Sequence, residues 1–215
     1  MSQNVTDWVA QRLREIDSLE IVGRTSEDFL IVRSKDEYTF LVAVLGLRNL
    51  IGQSDLEPLF TGANKPQLII NVPTDTLWSG SAIHYIHAQC AAFGSLGDVS
   101  RAACTGDAGS FRDGNMGFFI NAMKQHTNVF DVSYVNDRVF EVDRINGANL
   151  TVAIIDAYNM SAEDVRNARA RLGNFDVVVK STSYGSITSQ AKEAAHSMGA
   201  EALTFRDLMG RLSRG

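Results

Sequence analysis

The feature that most constrains the fold is an internal repeat, in which the second half of the chain presents the same order of apolar runs and glycines as the first. Residues 67–71 align with residues 176–180, and residues 29–33 align with residues 140–144. Recurrence at a period of roughly a hundred residues indicates two copies of one structural unit. The other aligned segments are Trp8 with Phe119, 19–21 with 130–132, 42–44 with 153–155, 55–56 with 164–165, 80–81 with 185–186, and 93–94 with 198–199.

Each half has the pattern of a helix, three strands, a helix, a strand and a helix. Apolar residues at helical spacing predict a helix over residues 4–16, and β-branched runs at 29–33 and 38–45 predict a hairpin. Ser161 followed by Asp164 is typical of a helix start with a capping box. Further helices are predicted at 54–60, 81–93, 117–126, 186–198 and 207–212, and further strands at 19–22, 67–72, 130–135, 138–142, 150–156, 176–180 and 201–205.

The predicted fold class is therefore α/β, with two similar α+β-like units related by internal duplication. A glycine-rich stretch at residues 105–116 breaks the periodic pattern and is interpreted as a linker. The predicted domains are a first repeat at 1–104 and a second repeat at 117–215.

Composition and charge limit the partners and the compartment. The chain is 45% hydrophobic and carries a net charge of −5, and neither half has the basic excess that drives non-specific nucleic-acid binding. No apolar run is long enough to span a membrane, and the N-terminus has no apolar signal core. Cys90 and Cys104 are the two cysteines, which favours free thiols over a disulfide. These features favour a cytoplasmic protein with no membrane association.

The order of elements in the second half resembles the restriction-endonuclease-like fold, in particular its Mrr-type branch. The similarity is greatest over residues 132–209. Residues 150–155 correspond to the third, catalytic strand of that family. Residues 176–183 resemble its fourth strand with the start of the following helix, and residues 202–212 resemble its closing segment.

The resemblance lacks the catalytic motif of the family. Such nucleases have an acidic residue on one strand and, on the next strand, a Glu or Gln followed by one spacer residue and a Lys. The carboxylates hold Mg²⁺, and the Lys helps to position and polarise the attacking water. Residues 152–156 contain no lysine, and residues 41–45 contain neither an acid nor a lysine. Three aspartates, Asp137, Asp143 and Asp156, are the weak catalytic candidates. The favoured alternative is that Asp137 and Asp143 are turn residues and that Asp156 ends a strand or caps a loop.

A loop after a buried strand is the best candidate ligand site. Residues 180–186 combine a lysine, hydroxyl groups and a glycine between a strand and a predicted helix, where free N–H groups can bind an anion. The alternative is that Ser183 or Ser186 caps the helix and Gly185 makes the turn. The candidate ligand-binding residues are Lys180, Ser181, Ser183, Tyr184, Gly185 and Ser186.

These observations favour a pseudoenzyme: a non-catalytic binding or assembly protein of two degenerate endonuclease-like units. The expected partner is another protein or a second copy, in a bacterial or phage nucleic-acid or defence context that rests on the resemblance alone. One alternative is a nuclease in which Asp137, Asp143 and Asp156 hold Mg²⁺. Another is a sensor of small anionic ligands at the Lys180 loop. The preferred hypothesis requires no metal and no cofactor.

Overall fold

The computed structural model of the chain describes residues 4–214. The chain divides between Asp113 and Gly114 into two compact units, here unit 1 and unit 2. Each unit contains one five-stranded mixed sheet and four helices of its own. The prediction of an α/β fold made of two similar units is confirmed. Among the described residues, no helix has both the length and the apolar character that a membrane crossing requires.

Unit 1 follows the predicted order and adds a fifth strand. Its helices are α1 (Val5–Arg14), α2 (Gln53–Leu56), α3 (Gly80–Ala88) and α4 (Asp98–Ala103), with 3₁₀ turns at Glu57–Phe60 and Ala108–Ser110. Its strands are β1 (Leu19–Arg24), β2 (Leu30–Ser34), β3 (Thr39–Leu45), β4 (Leu68–Asn71) and β5 (Ala92–Gly94).

Unit 2 repeats this order element by element. Its helices are α5 (Gly114–Gln125), α6 (Ala162–Leu172), α7 (Ser189–Ser197) and α8 (Phe205–Leu212). Its strands are β6 (Val129–Asn136), β7 (Val139–Arg144), β8 (Leu150–Ile155), β9 (Val177–Lys180) and β10 (Glu201–Leu203).

The two sheets have the same topology. In each sheet the strands lie side by side in chain order; the first three are antiparallel, and the last two run parallel to the third. In unit 2, α5 and α8 pack on one face of the sheet, with Phe140 and Val152 in the same apolar cluster. Helices α6 and α7 cover the other face, where they pack with Ala153 and Val178. Strands β4 and β9 are buried at every position, as parallel strands covered on both faces must be.

The units also match in hydrogen-bond register, which corrects part of the sequence alignment. Leu30 pairs with Val42 in unit 1, and Phe140 pairs with Val152 in unit 2. Residues 30–34 therefore correspond to 140–144, and residues 42–44 to 152–154. Both segments are one residue away from the alignment based on sequence. The alignment fails because the loop after the third strand is one residue longer in unit 1, residues 46–50, than in unit 2, residues 156–159. A one-residue shift matters because it would place every side chain of a strand on the opposite face.

The capping box predicted at Ser161 is confirmed, and unit 1 has its counterpart. Asp164 accepts a hydrogen bond of 2.8 Å from the Ser161 amide, and Asp55 accepts one of 2.8 Å from the Gly52 amide. Helix α7, by contrast, does not begin at Ser186. Thr188 caps it by accepting a hydrogen bond from the Ala191 amide. This cap corresponds to Ser79 at the start of α3, so the alignment of 80–81 with 185–186 was wrong.

The helix predicted over residues 81–93 is two elements. Helix α3 ends at Ala88, and Phe93 lies in strand β5. The turn between them places Cys90 at φ 55°, and Gly199 takes the equivalent position at φ 72°. Residues 93–94 therefore correspond to 202–203 rather than to 198–199. Cysteine is an unusual residue for a left-handed helix end, and this concealed the turn in the sequence.

The predicted linker is divided between the units. Ala108 and Phe111 are buried in the core cluster of unit 1, and the Ala108 amide donates to the Tyr38 hydroxyl at 2.8 Å. Gly114 begins α5 in unit 2. Most of the stretch 105–116 is therefore a folded part of unit 1.

Candidate functional site

Asp156 lies at the carboxyl end of β8 and holds neighbouring segments together. Its Oδ1 accepts hydrogen bonds from Ser181 Oγ and, at 3.1 Å, from Asn115 Nδ2. Its Oδ2 lies 3.6 Å from Arg138 Nη1. These contacts tie the loops after β8 and β9 to α5 and to the β6–β7 turn. The carboxylate is therefore used in structural contacts.

The three candidate aspartates do not converge. Asp137 precedes β7 and lies at the same end of the strands as Asp156. Its Oδ2 is 3.8 Å from Arg138 Nε. Asp143 is near the other end of β7, where it accepts a hydrogen bond of 2.6 Å from Asn149. Because a strand rises about 3.3 Å per residue, Asp143 is roughly 20 Å from Asp137. In residues 4–214, no group of three or more His, Cys, Asp or Glu side chains is placed to hold a metal ion.

Lys180 ends β9 and is turned into the protein. Its side chain is among the largest that are fully buried, with an exposed fraction of 2% for the residue. The ammonium donates to the carbonyl oxygen of Thr182 at 2.6 Å and to that of Tyr184. The charge therefore organises its own loop and does not face outward to a ligand.

Unit 1 has a buried polar side chain at the equivalent position. Asn71 ends β4, is 2% exposed, and donates to the carbonyl oxygens of Leu47 and Pro73, both at 3.0 Å. It also accepts from the Leu47 amide at 2.9 Å. Both units thus satisfy loop carbonyls with a buried side chain at the end of the fourth strand. This shared role supports a structural reading of Lys180.

The other residues of the predicted ligand loop are also engaged or point outward. The amide and hydroxyl of Ser186 both donate to Asn159 Oδ1, at 3.0 and 3.1 Å. Gly185 has φ 76° and packs so closely on the Tyr158 carbonyl that a Cβ would collide with it. Tyr184 is 73% exposed, and Ser183 is exposed. The helix start predicted to bind an anion lies further along the chain and is capped by Thr188.

The sequence did not reveal an open groove of unit 2 beside the edge strand β10. The groove has a volume of about 990 Å³, with α7 and α8 as its walls and β10 as its floor. We call it the β10 groove. It is lined by Lys192, Glu193, His196, Ser197, Ala200, Glu201, Ala202, Leu203, Asp207, Arg211 and Arg214.

The corresponding edge of unit 1 is partly covered by its own chain. Gly109 lies directly against the carbonyl of Cys90, just before β5, so that a Cβ at Gly109 would collide with it. Arg112 follows, and its charge is close enough to contribute to lowering the pKa of His87. By register, Cys90 and His87 correspond to Gly199 and to His196 of the β10 groove. Residues 108–112 therefore occupy in unit 1 part of the space that is open in unit 2.

The charges of the groove are unevenly paired. Glu201 forms an ion pair with Arg211, with Nε and Oε1 3.0 Å apart. Asp207 accepts from Thr204 Oγ1 at 2.7 Å, and this hydrogen bond is the main cause of its lowered pKa. Among residues 4–214, no carboxylate forms an ion pair with Lys192 or Arg214. The lining thus carries three acidic and three basic side chains, and the charge of Lys192 also contributes to lowering the pKa of Asp207. Arg214 Nε donates to the Gly210 carbonyl at 3.2 Å.

Comparison of the chain with protein-family models, with curated proteins and with solved structures found no match. The fold and these contacts define the chain as a two-unit α/β protein in which the β5 edge is partly covered and the β10 edge borders an open groove.

Proposed function

We propose that this chain is a non-catalytic binding protein built from two degenerate endonuclease-like units, and that it binds another protein through unit 2. The observation that carries the proposal is the β10 groove. A groove of about 990 Å³ beside an edge strand presents side chains of α7, β10 and α8 to a partner. Unit 1 covers part of the equivalent edge with its own residues, so the open groove is particular to unit 2.

The contacts of the acidic residues support a function without bond cleavage. Metal-dependent hydrolysis needs carboxylates that converge on one ion. Asp156 is held by Ser181, Asn115 and Arg138, and Asp143 is near the opposite end of β7. This placement disfavours the alternative nuclease that uses Asp137, Asp143 and Asp156.

The same reasoning weakens the anion-sensor alternative. An anion site needs a cation or free N–H donors aimed at the ligand. Lys180 donates to two carbonyls of its own loop, and the Ser186 amide donates to Asn159. The Lys180 ammonium and the Ser186 amide, which the sequence suggested as donors to an anion, therefore donate within the protein instead.

Site-specific photo-crosslinking tests the proposal. A photoreactive benzoylphenylalanine in place of Ser197, which is exposed in the β10 groove, is introduced into the chain in its host cell. The same group in place of Arg166, exposed on α6, is the control. We expect a discrete protein adduct at position 197 and none at position 166. Adducts at both positions, or at neither, would contradict a partner site in the groove.

A cleavage assay tests the non-catalytic part. The protein is incubated with plasmid DNA and with RNA in the presence of Mg²⁺ or Mn²⁺. We expect no cleavage by the natural chain. Cleavage that disappears in Asp156→Ala would overturn the proposal in favour of the nuclease.

A further inference from the structure

We propose that an uncovered sheet face of β6 and β7 in unit 2 docks a basic, amphipathic helix of a partner protein. This surface is separate from the β10 groove, so the inference goes beyond the proposed function by assigning unit 2 a second interaction surface. Three observations carry it: the part of the sheet that helices leave uncovered, the carboxylates there without counter-ions, and the exposed apolar side chains beside them. We call this surface the β6–β7 face; its residues are Phe130, Asp131, Ser133, Glu141, Asp143 and Ile145.

The first observation is that α6 and α7 cover only part of their side of the sheet. Alternate residues of a strand point to opposite sides. Val132 and Val142 pack on the side of α5 and α8. Their neighbours Asp131 and Glu141 therefore point to the side of α6 and α7. Those two helices bury Ala153 on β8, whereas Asp131 and Glu141 are exposed. Within the described residues of unit 2, the β6–β7 face thus has no helix over it.

The second observation is an uncompensated arrangement of charges on this face. Asp131 and Asp143 are directly opposite each other in the antiparallel ladder, and Glu141 is the next residue of β7 on the same side. Like charges in directly opposite positions destabilise a sheet. None of the three carboxylates forms an ion pair within residues 4–214. The neighbouring cation, Arg144, donates instead to main-chain carbonyls. Basic side chains of a partner would relieve this repulsion.

Unit 1 neutralises the same position within its own chain. Arg33 corresponds to Asp143, and its partner across the ladder is Glu20. Arg33 Nη2 lies 2.6 Å from Glu20 Oε2. The exchange of a cation for a carboxylate is therefore particular to unit 2. It leaves the β6–β7 face complementary to cations that come from outside the unit.

The third observation is the exposure of two apolar side chains at one end of this face. Phe130, at the bulge before Asp131, is 80% exposed, and Ile145, two residues after Asp143, is 58% exposed. Unit 1 has Lys35 at the position of Ile145. Apolar side chains beside carboxylates fit a partner that offers apolar and basic groups together. Because α6 and α7 already pack on this side of the sheet, an amphipathic helix is the segment that extends their layer.

Fluorescence anisotropy on the full chain tests the inference. The probe is a fluorescein-labelled helical peptide of leucine, alanine and lysine, with the leucines on one face and the lysines beside them. The comparison probes are a peptide of the same composition with the leucines distributed around the helix, and an oligolysine of the same charge. We expect saturable binding of the amphipathic peptide that weakens with salt, and weaker binding of both comparison probes. Equal binding of the three probes, or no binding of the amphipathic peptide, would overturn the inference.

Two variants test where the peptide binds. Asp131→Arg should weaken binding of the amphipathic peptide by on the order of tenfold, because an attraction becomes a repulsion. This variant should remain folded, because it places a cation opposite Asp143, as in the ion pair of unit 1. Phe130→Ser should weaken binding severalfold, because an exposed apolar contact is lost. Glu163→Arg, an equal change of charge at an exposed position of α6, is the control and should leave binding unchanged.

The location of the site is refuted if binding is unaffected by Asp131→Arg or by Phe130→Ser, since the peptide would then bind elsewhere. A reduction by Glu163→Arg as large as that by Asp131→Arg would refute it too, because only the net charge of the protein would matter. Neither result involves the β10 groove, so failure of this inference leaves the proposed function unchanged.

Discussion

Replacing Lys180 with methionine distinguishes a structural lysine from a ligand-binding one. The ammonium makes two hydrogen bonds to loop carbonyls and is almost fully buried. Hydrogen bonds to charged groups each contribute about 1.5–3 kcal/mol. Methionine has a similar volume and avoids the desolvation of an ammonium, which offsets part of the loss.

We therefore expect Lys180→Met to lower the free energy of unfolding by about 1–3 kcal/mol. Urea unfolding followed by far-UV circular dichroism is the appropriate measurement, because it follows the secondary structure of unit 2, whereas both tryptophans, Trp8 and Trp78, lie in unit 1. Lys124→Met, an exposed lysine on α5, should change stability by less than about 0.5 kcal/mol.

The same variants decide whether the loop binds anions. If Lys180 is structural, inorganic phosphate should shift the melting temperatures of the natural chain and of Lys180→Met by the same amount. A phosphate-dependent stabilisation that is present in the natural chain and absent in Lys180→Met would refute the structural reading. Unchanged stability of Lys180→Met in urea would refute it as well, since the two carbonyl contacts would then contribute nothing.

Three further predictions follow from named contacts. Burial, with the charges of Arg112 and His84, lowers the pKa of His87 to about 4, so the fold favours the neutral ring. This contribution to the free energy of unfolding is complete above pH 6.5 and is lost as the pH falls from 6.5 to about 4. NMR titration of His87, and urea unfolding of His87→Gln as a function of pH, will check it. Gly109→Ala should destabilise unit 1 by about 1–3 kcal/mol through collision with the Cys90 carbonyl, whereas Gly114→Ala, with open space around it, should not. Asp164→Ala should cost about 1 kcal/mol by removing the capping box, and the same unfolding assay should find Glu163→Ala nearly neutral.

Local patterns in the sequence were sufficient for most of the elements and their order, but not for β5 and α4. The apolar period of α1, the fully apolar runs of β4 and β9, and the Ser161–Asp164 capping box each act over a few residues. The repeat then indicated two similar units, because the same local signals recur in the same order. The capping box was confirmed in atomic detail for the same reason, since both partners lie within one turn of helix.

Contacts between residues far apart in the chain were decided only by the tertiary structure. Cys90 reverses the chain without a glycine, because β5 must return to pair with β4. Lys180 points inward to its loop, although the sequence suggested a cation available to ligands. The low-identity alignment of the halves placed β2 and β3 together one residue away from their equivalents, and the pairing of β3 with β4 and of β8 with β9 reveals the shift.

The open edge of unit 2 is the clearest case. The sequence predicted the strand at 201–205, but no local pattern tells which strand lies at the edge of a sheet or whether another segment covers it. Sheet order placed both β5 and β10 at edges, and the path of residues 108–112 covered part of one of them. Side-chain periodicity determines which face of a strand is buried, whereas the fate of its main-chain edge depends on which distant segments the folded chain brings beside it.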